Sequence, residues 1–314
     1  MRNRIEGLSN EDYHYKEPFT DYISSTMLKK YLMSPKAFKY AMDNRMNEPT
    51  ESTAFGSLFH AAMESFVNNG DKSTFMNNVA IFEPPLNPST QSPYGANTKA
   101  YKEAYSEFLS NNEGKIISDT EEIKMLSDMM DTITDPSVGG ITANKVLKLI
   151  NRSLETEVSY FLKMANGVKL KVRPDMLTSN KIIDWKTCSL ETMDEYNISN
   201  QIIKYRYDIS VSMYQYVLHL IKGIWYEPLL VFVSKVEPYD ALIVDLSEWC
   251  YSYNNETELV RLGVGALDFS RLLNTHAKCI EEKKWEGITS SLKPSDQGIM
   301  KAAVPLWFEM KVTK

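Results

Sequence analysis

The chain has 314 residues, a formal net charge of -6 at pH 7, and the 43% hydrophobic and 24% charged content of an ordinary globular protein. No run of about 18 apolar residues occurs, so a membrane-spanning helix is excluded. The N-terminus MRNRIEGLSNEDYHYKE lacks the apolar stretch of a signal peptide, so a cytoplasmic location is expected. The acidic balance argues against a protein that coats a polyanion with its whole surface, but permits basic residues gathered in one cleft. Three distant cysteines (Cys188, Cys250, Cys279) without a CxxC pair read as reduced thiols and argue against a structural zinc or an iron–sulfur cluster.

Residues 1–22 are polar and aperiodic and read as an N-terminal arm. Ser24, Ser25 and Thr26 are cap-type residues before Met27, Leu28, Tyr31 and Leu32, whose spacing is helical, and Ser34-Pro35 starts a second short helix. AFGSLFHAAMESFVNN predicts a third helix, with Phe55, Leu58, Phe59, Ala62 and Phe66 on one stripe and His60 and Glu64 on the other face. Residues 83–98, dense in Pro, Ser, Asn and Gly, read as a loop. Two or three helices follow in 98–151, and 83–151 together read as a helical insertion.

The pattern then changes. Glu157 to Met164 and Val168 to Arg173 are strand-like and joined by Asn166-Gly167, a two-residue hairpin signal. KIIDWKT (181–187) is a third strand, helices follow in about 191–222, and LLVFVSK and ALIVDL are two more strands. A long helix over about 255–285 and a C-terminal tail over 291–314 complete the chain. This order predicts an α/β fold with a mixed central sheet flanked by helices. It is a single domain over 23–290 with helical N-terminal and C-terminal additions.

Side chains alternate along a strand, so Asp184 and Lys186 share one face of KIIDWKT while Ile183, Trp185 and Thr187 share the other. The apolar flanks suggest a buried strand, where charges are rare unless paired or bound to metal. The preceding strand ends in Asp175, and by the same parity Lys169, Lys171, Arg173 and Asp175 share a face. Two carboxylates offer hard oxygen ligands to a divalent cation such as Mg²⁺. A lysine beside them can orient water or offset charge developing on a phosphate.

VRPDMLTSNKIIDWKTC resembles the core signature of the RecB-like branch of PD-(D/E)xK nucleases. That branch carries G-x-x-x-H upstream, here Gly56 to His60. Downstream it carries Q-x-x-x-Y, here Ser210 to Tyr214, with a serine in the glutamine position and Gln215 as a neighbouring substitute. ISSTMLKKYLMSPKAFKY and TEVSYFLKMANGVKLKVRPD are most similar to phage and prophage RecE-like exonucleases of the exodeoxyribonuclease VIII type. The resemblance covers residues 23–220. It implies a restriction-endonuclease-like core and Mg²⁺ as cofactor, with Mn²⁺ able to substitute. His60, Asp175, Asp184 and the Trp185 carbonyl are the implied metal ligands, and Lys186 acts with Asp184 and Asp175 in catalysis. It further implies 5′-to-3′ digestion of linear double-stranded DNA for phage recombination or repair, a single-strand annealing protein as partner, and a homo-oligomeric ring. An endonuclease of the same fold and a catalytically degenerate DNA-binding scaffold are the alternatives.

Further candidates are less constrained. Ser24 and Thr26 cap a helix or hold a DNA phosphate, with Lys29 or Lys30 adding charge. Lys171, Arg173, Tyr214 and Gln215 are possible DNA contacts. Glu64, one turn after His60, either assists a metal or faces solvent. A two-residue turn at Asn166-Gly167 puts Glu157 on the face opposite Asp175, so a structural role is expected for it unless a bulge intervenes.

Overall fold

Ile182, Asp184, Lys186 and Cys188 alternate with Ile183, Trp185 and Thr187 along the strand Lys181–Cys188, so its two faces meet different surroundings. The computed structural model, which describes residues 3–44, 51–254 and 258–291, places this strand at the centre of a five-stranded sheet. The sheet runs in the order Ala241–Asp245, Glu227–Ser234, Lys181–Cys188, Met176–Leu177 and Glu155–Thr156. Its only parallel pair is Lys181–Cys188 with Glu227–Ser234. Parallel neighbours need a crossover, supplied here by helices Glu195–Tyr205 and Tyr207–Lys222.

Both faces of the sheet are covered, as an α/β sandwich requires. On one, Ile183, Trp185, Val231 and Val233 pack with Phe55, Leu58, Phe59 and Met63 of helix Glu51–Asn69, and with helices Thr120–Thr134 and Pro136–Ile150. On the other, Ile182 packs with Ile209, Met213 and Val217 of helix Tyr207–Lys222 and with Phe269 and Leu272 of helix Val264–Glu282. The fold is the mixed sandwich read from the sequence. Residues 120–150, predicted as part of an insertion, instead form half of one helical layer.

Three local expectations need correction. Residues 3–22 are no irregular arm. Arg4–Ile5 pairs with Ser159 and Tyr160, Ser9 caps helix Asn10–Tyr15, and Tyr13 and Tyr22 bury their rings against Phe161. The helix predicted from Ser24 breaks after one turn, with Ser25–Leu28 α-helical and Lys29–Leu32 tightened into a 3₁₀ turn before helix Pro35–Asp43. Within 255–285, Glu258–Leu262 is a strand paired with Tyr251–Asn254, and the helix begins at Val264. The predicted C-terminal tail lies, beyond Ser291, outside the described residues.

The hairpin Ser159–Lys163/Lys169–Val172 also differs from the two-residue turn its sequence suggests. Lys163 pairs with Lys169, the Met164 N–H donates to the Val168 carbonyl at 2.8 Å, and Gly167 N–H donates to the Met164 carbonyl at 3.0 Å. Gly167 takes φ 87°, the left-handed position of a three-residue loop that only glycine enters without strain. The same register resumes beyond the hairpin, where Thr156 pairs with Met176. It therefore sets Glu157 directly across from Asp175, whose carbonyl accepts the Glu157 N–H at 3.1 Å.

Candidate metal centre and active site

The break between the two strand stretches, at Glu157 and Asp175, opens into a cleft of about 840 Å³. Glu157 adopts φ 54°, a left-handed backbone conformation that interrupts the strand. Helix Glu51–Asn69 packs its apolar stripe on the sheet and presents His60 at the same point. His60 Nδ1 lies 3.4 Å from Asp175 Oδ1 and 4.0 Å from Glu157 Oε1. The second Asp175 oxygen accepts the Trp185 N–H at 2.6 Å, which fixes this carboxylate to the central strand.

Asp184 and Lys186 project from one face of that strand and form an ion pair with each other. The Lys186 ammonium also donates to the Trp185 carbonyl at 3.1 Å and lies 5.3 Å from the centre of the Tyr207 ring. The two oxygens predicted as metal ligands on this strand thus both hold Lys186.

Electrostatics follow from burial and crowding. Burial, with Asp175 close by, pushes the Glu157 carboxyl up to about 8. Burial and Asp175 also raise Asp184, with Lys186 opposing. Asp175 is held low, because His60, Lys186 and the Trp185 N–H together outweigh its burial. His60 is raised, since the Asp175 charge and hydrogen bond overcome desolvation of the imidazolium. Lys186 stays charged despite burial, because Asp184 and Asp175 face it.

The other predicted site residues divide. Tyr214 and Glu64 line the cleft, and burial raises both, with the acidic groups around them adding to the effect. Thr26 is exposed at its rim, while Ser24 caps its turn by accepting the Met27 N–H at 3.4 Å. Lys171 and Arg173 border the cleft but spend their N–H groups elsewhere, contrary to the expectation of phosphate contacts. Lys171, 2% exposed, donates to the Tyr13 and Phe19 carbonyls. Arg173 donates to Ser159, Asn10 and the Leu8 carbonyl. Both anchor the N-terminal segment. Gln215 is likewise no DNA contact: fully buried, it donates to the Tyr226 and Tyr251 carbonyls and accepts the Tyr251 N–H.

Residues 24–263 match the model of a family described as a PDDEXK-like domain of unknown function (DUF3799). The chain belongs to this family. Among solved structures it is similar to a protein from Eubacterium rectale named a candidate exonuclease. The TM-score is 0.52 over 96% of this chain and 97% of that one, and at 11% identity the likeness speaks to the fold alone. No curated protein matches the chain significantly.

A divalent cation fits the donor set of this PDDEXK-like centre. Among the described residues, His60, Glu157 and Asp175 bring one ligand atom each to within 4.8 Å of one another. Two carboxylates and an imidazole suit Mg²⁺ or Mn²⁺. The raised Glu157 carboxyl marks a buried acidic pair short of positive charge, which a cation supplies. Glu157 is hidden from strand alternation as long as Asn166-Gly167 counts as a two-residue turn.

Of the two lysines that could add charge beside Ser24 and Thr26, the structure turns Lys29 inward. Its ammonium donates to Ser210 Oγ at 3.1 Å and to the Tyr205 carbonyl at 2.9 Å. Burial, reinforced by Lys186, pulls it down to about 8. Ser210, where the RecB-like resemblance expects a glutamine, thereby anchors a buried lysine that feels the charges of Lys186 and Asp184. No spacing rule signals such a pair across 181 residues.

Proposed function

We propose that this protein is a divalent-metal-dependent deoxyribonuclease, acting as an exonuclease on linear double-stranded DNA. The observation that carries the reading is the convergence of His60, Glu157 and Asp175 in one cleft beside the buried Asp184–Lys186 pair. A divalent cation bound by the trio supplies Lewis acidity for phosphodiester hydrolysis. Asp175 orients His60 and is itself held by the Trp185 N–H, so the donors are preorganised. Lys186, kept charged by Asp184 and Asp175, offsets negative charge on the phosphoryl oxygens rather than accepting a proton. Tyr214 and Thr26 border the path of the DNA backbone.

The 5′-to-3′ direction, a role in phage recombination or repair, a single-strand annealing partner and a ring-shaped oligomer are the finer parts of this proposal. The RecE-like resemblance of residues 23–220 supports them. The test is incubation of end-labelled linear and closed circular duplex DNA with Mg²⁺, Mn²⁺ or EDTA. The proposal expects metal-dependent loss of linear DNA alone, with label at the 5′ end released first. Cutting of circles would make the protein an endonuclease, and no cleavage of either would leave a DNA-binding scaffold.

A further inference from the structure

A second groove, of about 780 Å³, opens off the catalytic cleft and shares His14, Ser24, Thr26 and Lys171 with it. Its lining includes Lys30 of the 3₁₀ turn Lys29–Leu32, Met33 just after it, and Lys36 and Tyr40 of helix Pro35–Asp43. Lys30 and Lys36 are both exposed, and among the described residues neither has an ion-pair partner. By contrast Lys39, on the same helix as Lys36, bonds Asp43. Among the described residues no carboxylate lines the groove, in a chain of net charge -6. Two exposed ammonium groups beside a channel with no carboxylate among its described lining residues make a local site for an anion.

The channel is also aromatic and soft. Tyr40 is 70% exposed, Met33 64% and Tyr15 40%, and all three line it. Exposed rings and lysines lining one groove suit unstacked bases on a phosphate backbone, because any base offers a π-face and each phosphate a charge. Duplex DNA keeps its base faces stacked inside, so the aromatic part of the groove would have no partner there.

We infer that this groove binds one single strand of DNA, continuous with the strand held at the metal centre. The inference takes its substrate from the nuclease reading above. Lys30 and Lys36 contact phosphates and Tyr40 stacks on a base. The 3₁₀ turn separates two adjacent lysines, so that Lys29 bonds Ser210 inside while Lys30 faces the channel.

The test uses the full chain and a short fluorescein-labelled oligothymidylate, read by anisotropy in Ca²⁺ at several salt concentrations. Tyr40→Ala is expected to weaken binding at least fivefold. The double variant Lys30→Ala/Lys36→Ala is expected to flatten the slope of log affinity against log salt by about 1.4, the value for two single-strand phosphate contacts. Unchanged affinity or slope in these variants would overturn the inference. So would an equal effect on blunt duplex, which would make the groove a duplex surface. Hydrolysis of bis(p-nitrophenyl) phosphate with Mn²⁺, a substrate too small to reach the groove, reports the metal centre separately. A wild type that fails there and on DNA, yet loses oligonucleotide binding in the variants, sinks the nuclease reading and leaves the groove standing.

Discussion

Metal affinity in this centre should follow the titration of Glu157. Burial beside Asp175 holds its carboxyl at about 8, so below that pH a cation must displace a proton to bind. The neutral form dominates on the acid side, so affinity rises with pH and levels off above about 8. One pH unit corresponds to about 1.4 kcal/mol, and between pH 6 and 8 Glu157 therefore contributes about two decades of affinity, roughly 2.7 kcal/mol. His60 is raised as well and adds its own dependence, so the informative quantity is the ratio of wild type to Glu157→Gln. The amide does not titrate. The affinity ratio should grow about tenfold per unit from pH 6 to 8 and then flatten. Calorimetric titration with Mn²⁺ in buffers of different ionisation enthalpy also counts protons, and wild type should release about one more than the variant at pH 7. A ratio that stays constant with pH, or equal proton release, would refute a place for Glu157 in the cation site.

Lys186→Ala should lower cleavage by about 100-fold or more while Mn²⁺ affinity stays within a few-fold, since the ammonium stabilises charge rather than ligating; wild-type turnover would remove it from the mechanism. Because His60 offers nitrogen, Mn²⁺ should support cleavage at least as well as Mg²⁺, and His60→Ala should lose most activity with either. Full activity in that variant would return His60 to a structural role. Lys171→Met takes the ammonium from the Tyr13 carbonyl in a nearly closed site, while the Phe19 carbonyl keeps the Tyr22 N–H, at a cost of about 1–3 kcal/mol. A lowered Tm and early proteolysis within residues 3–22 should follow, and a Tm equal to wild type would show that Lys171 does not hold this segment.

Positions governed by short-range periodicity were legible in the sequence. Asp184 and Lys186 share a face because a strand alternates, and Phe55, Leu58 and Phe59 reach the core because a helix repeats every 3.6 residues. The parity of Lys171 and Arg173 was read in the same way, yet their destination was not. The face they share is roofed by residues 3–22, whose carbonyls and Asn10 side chain take their N–H groups. A polar, aperiodic stretch shows nothing of such docking, because the holding groups lie more than 150 residues away. Gln215 is hidden for a similar reason, since its three hydrogen bonds go to backbone atoms of residues 226 and 251. The strand Glu258–Leu262 was read as helix because a strand on a two-stranded ribbon has no central sheet to impose strict alternation.

Glu157 marks the point where one residue of loop length decides the chemistry. With Asn166-Gly167 as a two-residue turn, Glu157 would fall on the face away from Asp175 and the acidic centre would lack a member. The three-residue loop with Gly167 at φ 87° shifts the pairing by one, and a one-residue shift exchanges the faces of every side chain on the strand. Glu157 then stands across from Asp175, with its carboxylate 4.0 Å from His60 Nδ1. Gly167 is the residue that permits this register, because its backbone conformation is strained for any L side chain. The loop that Gly167 permits thus delivers a carboxylate to the centre that a two-residue turn would have carried away from it.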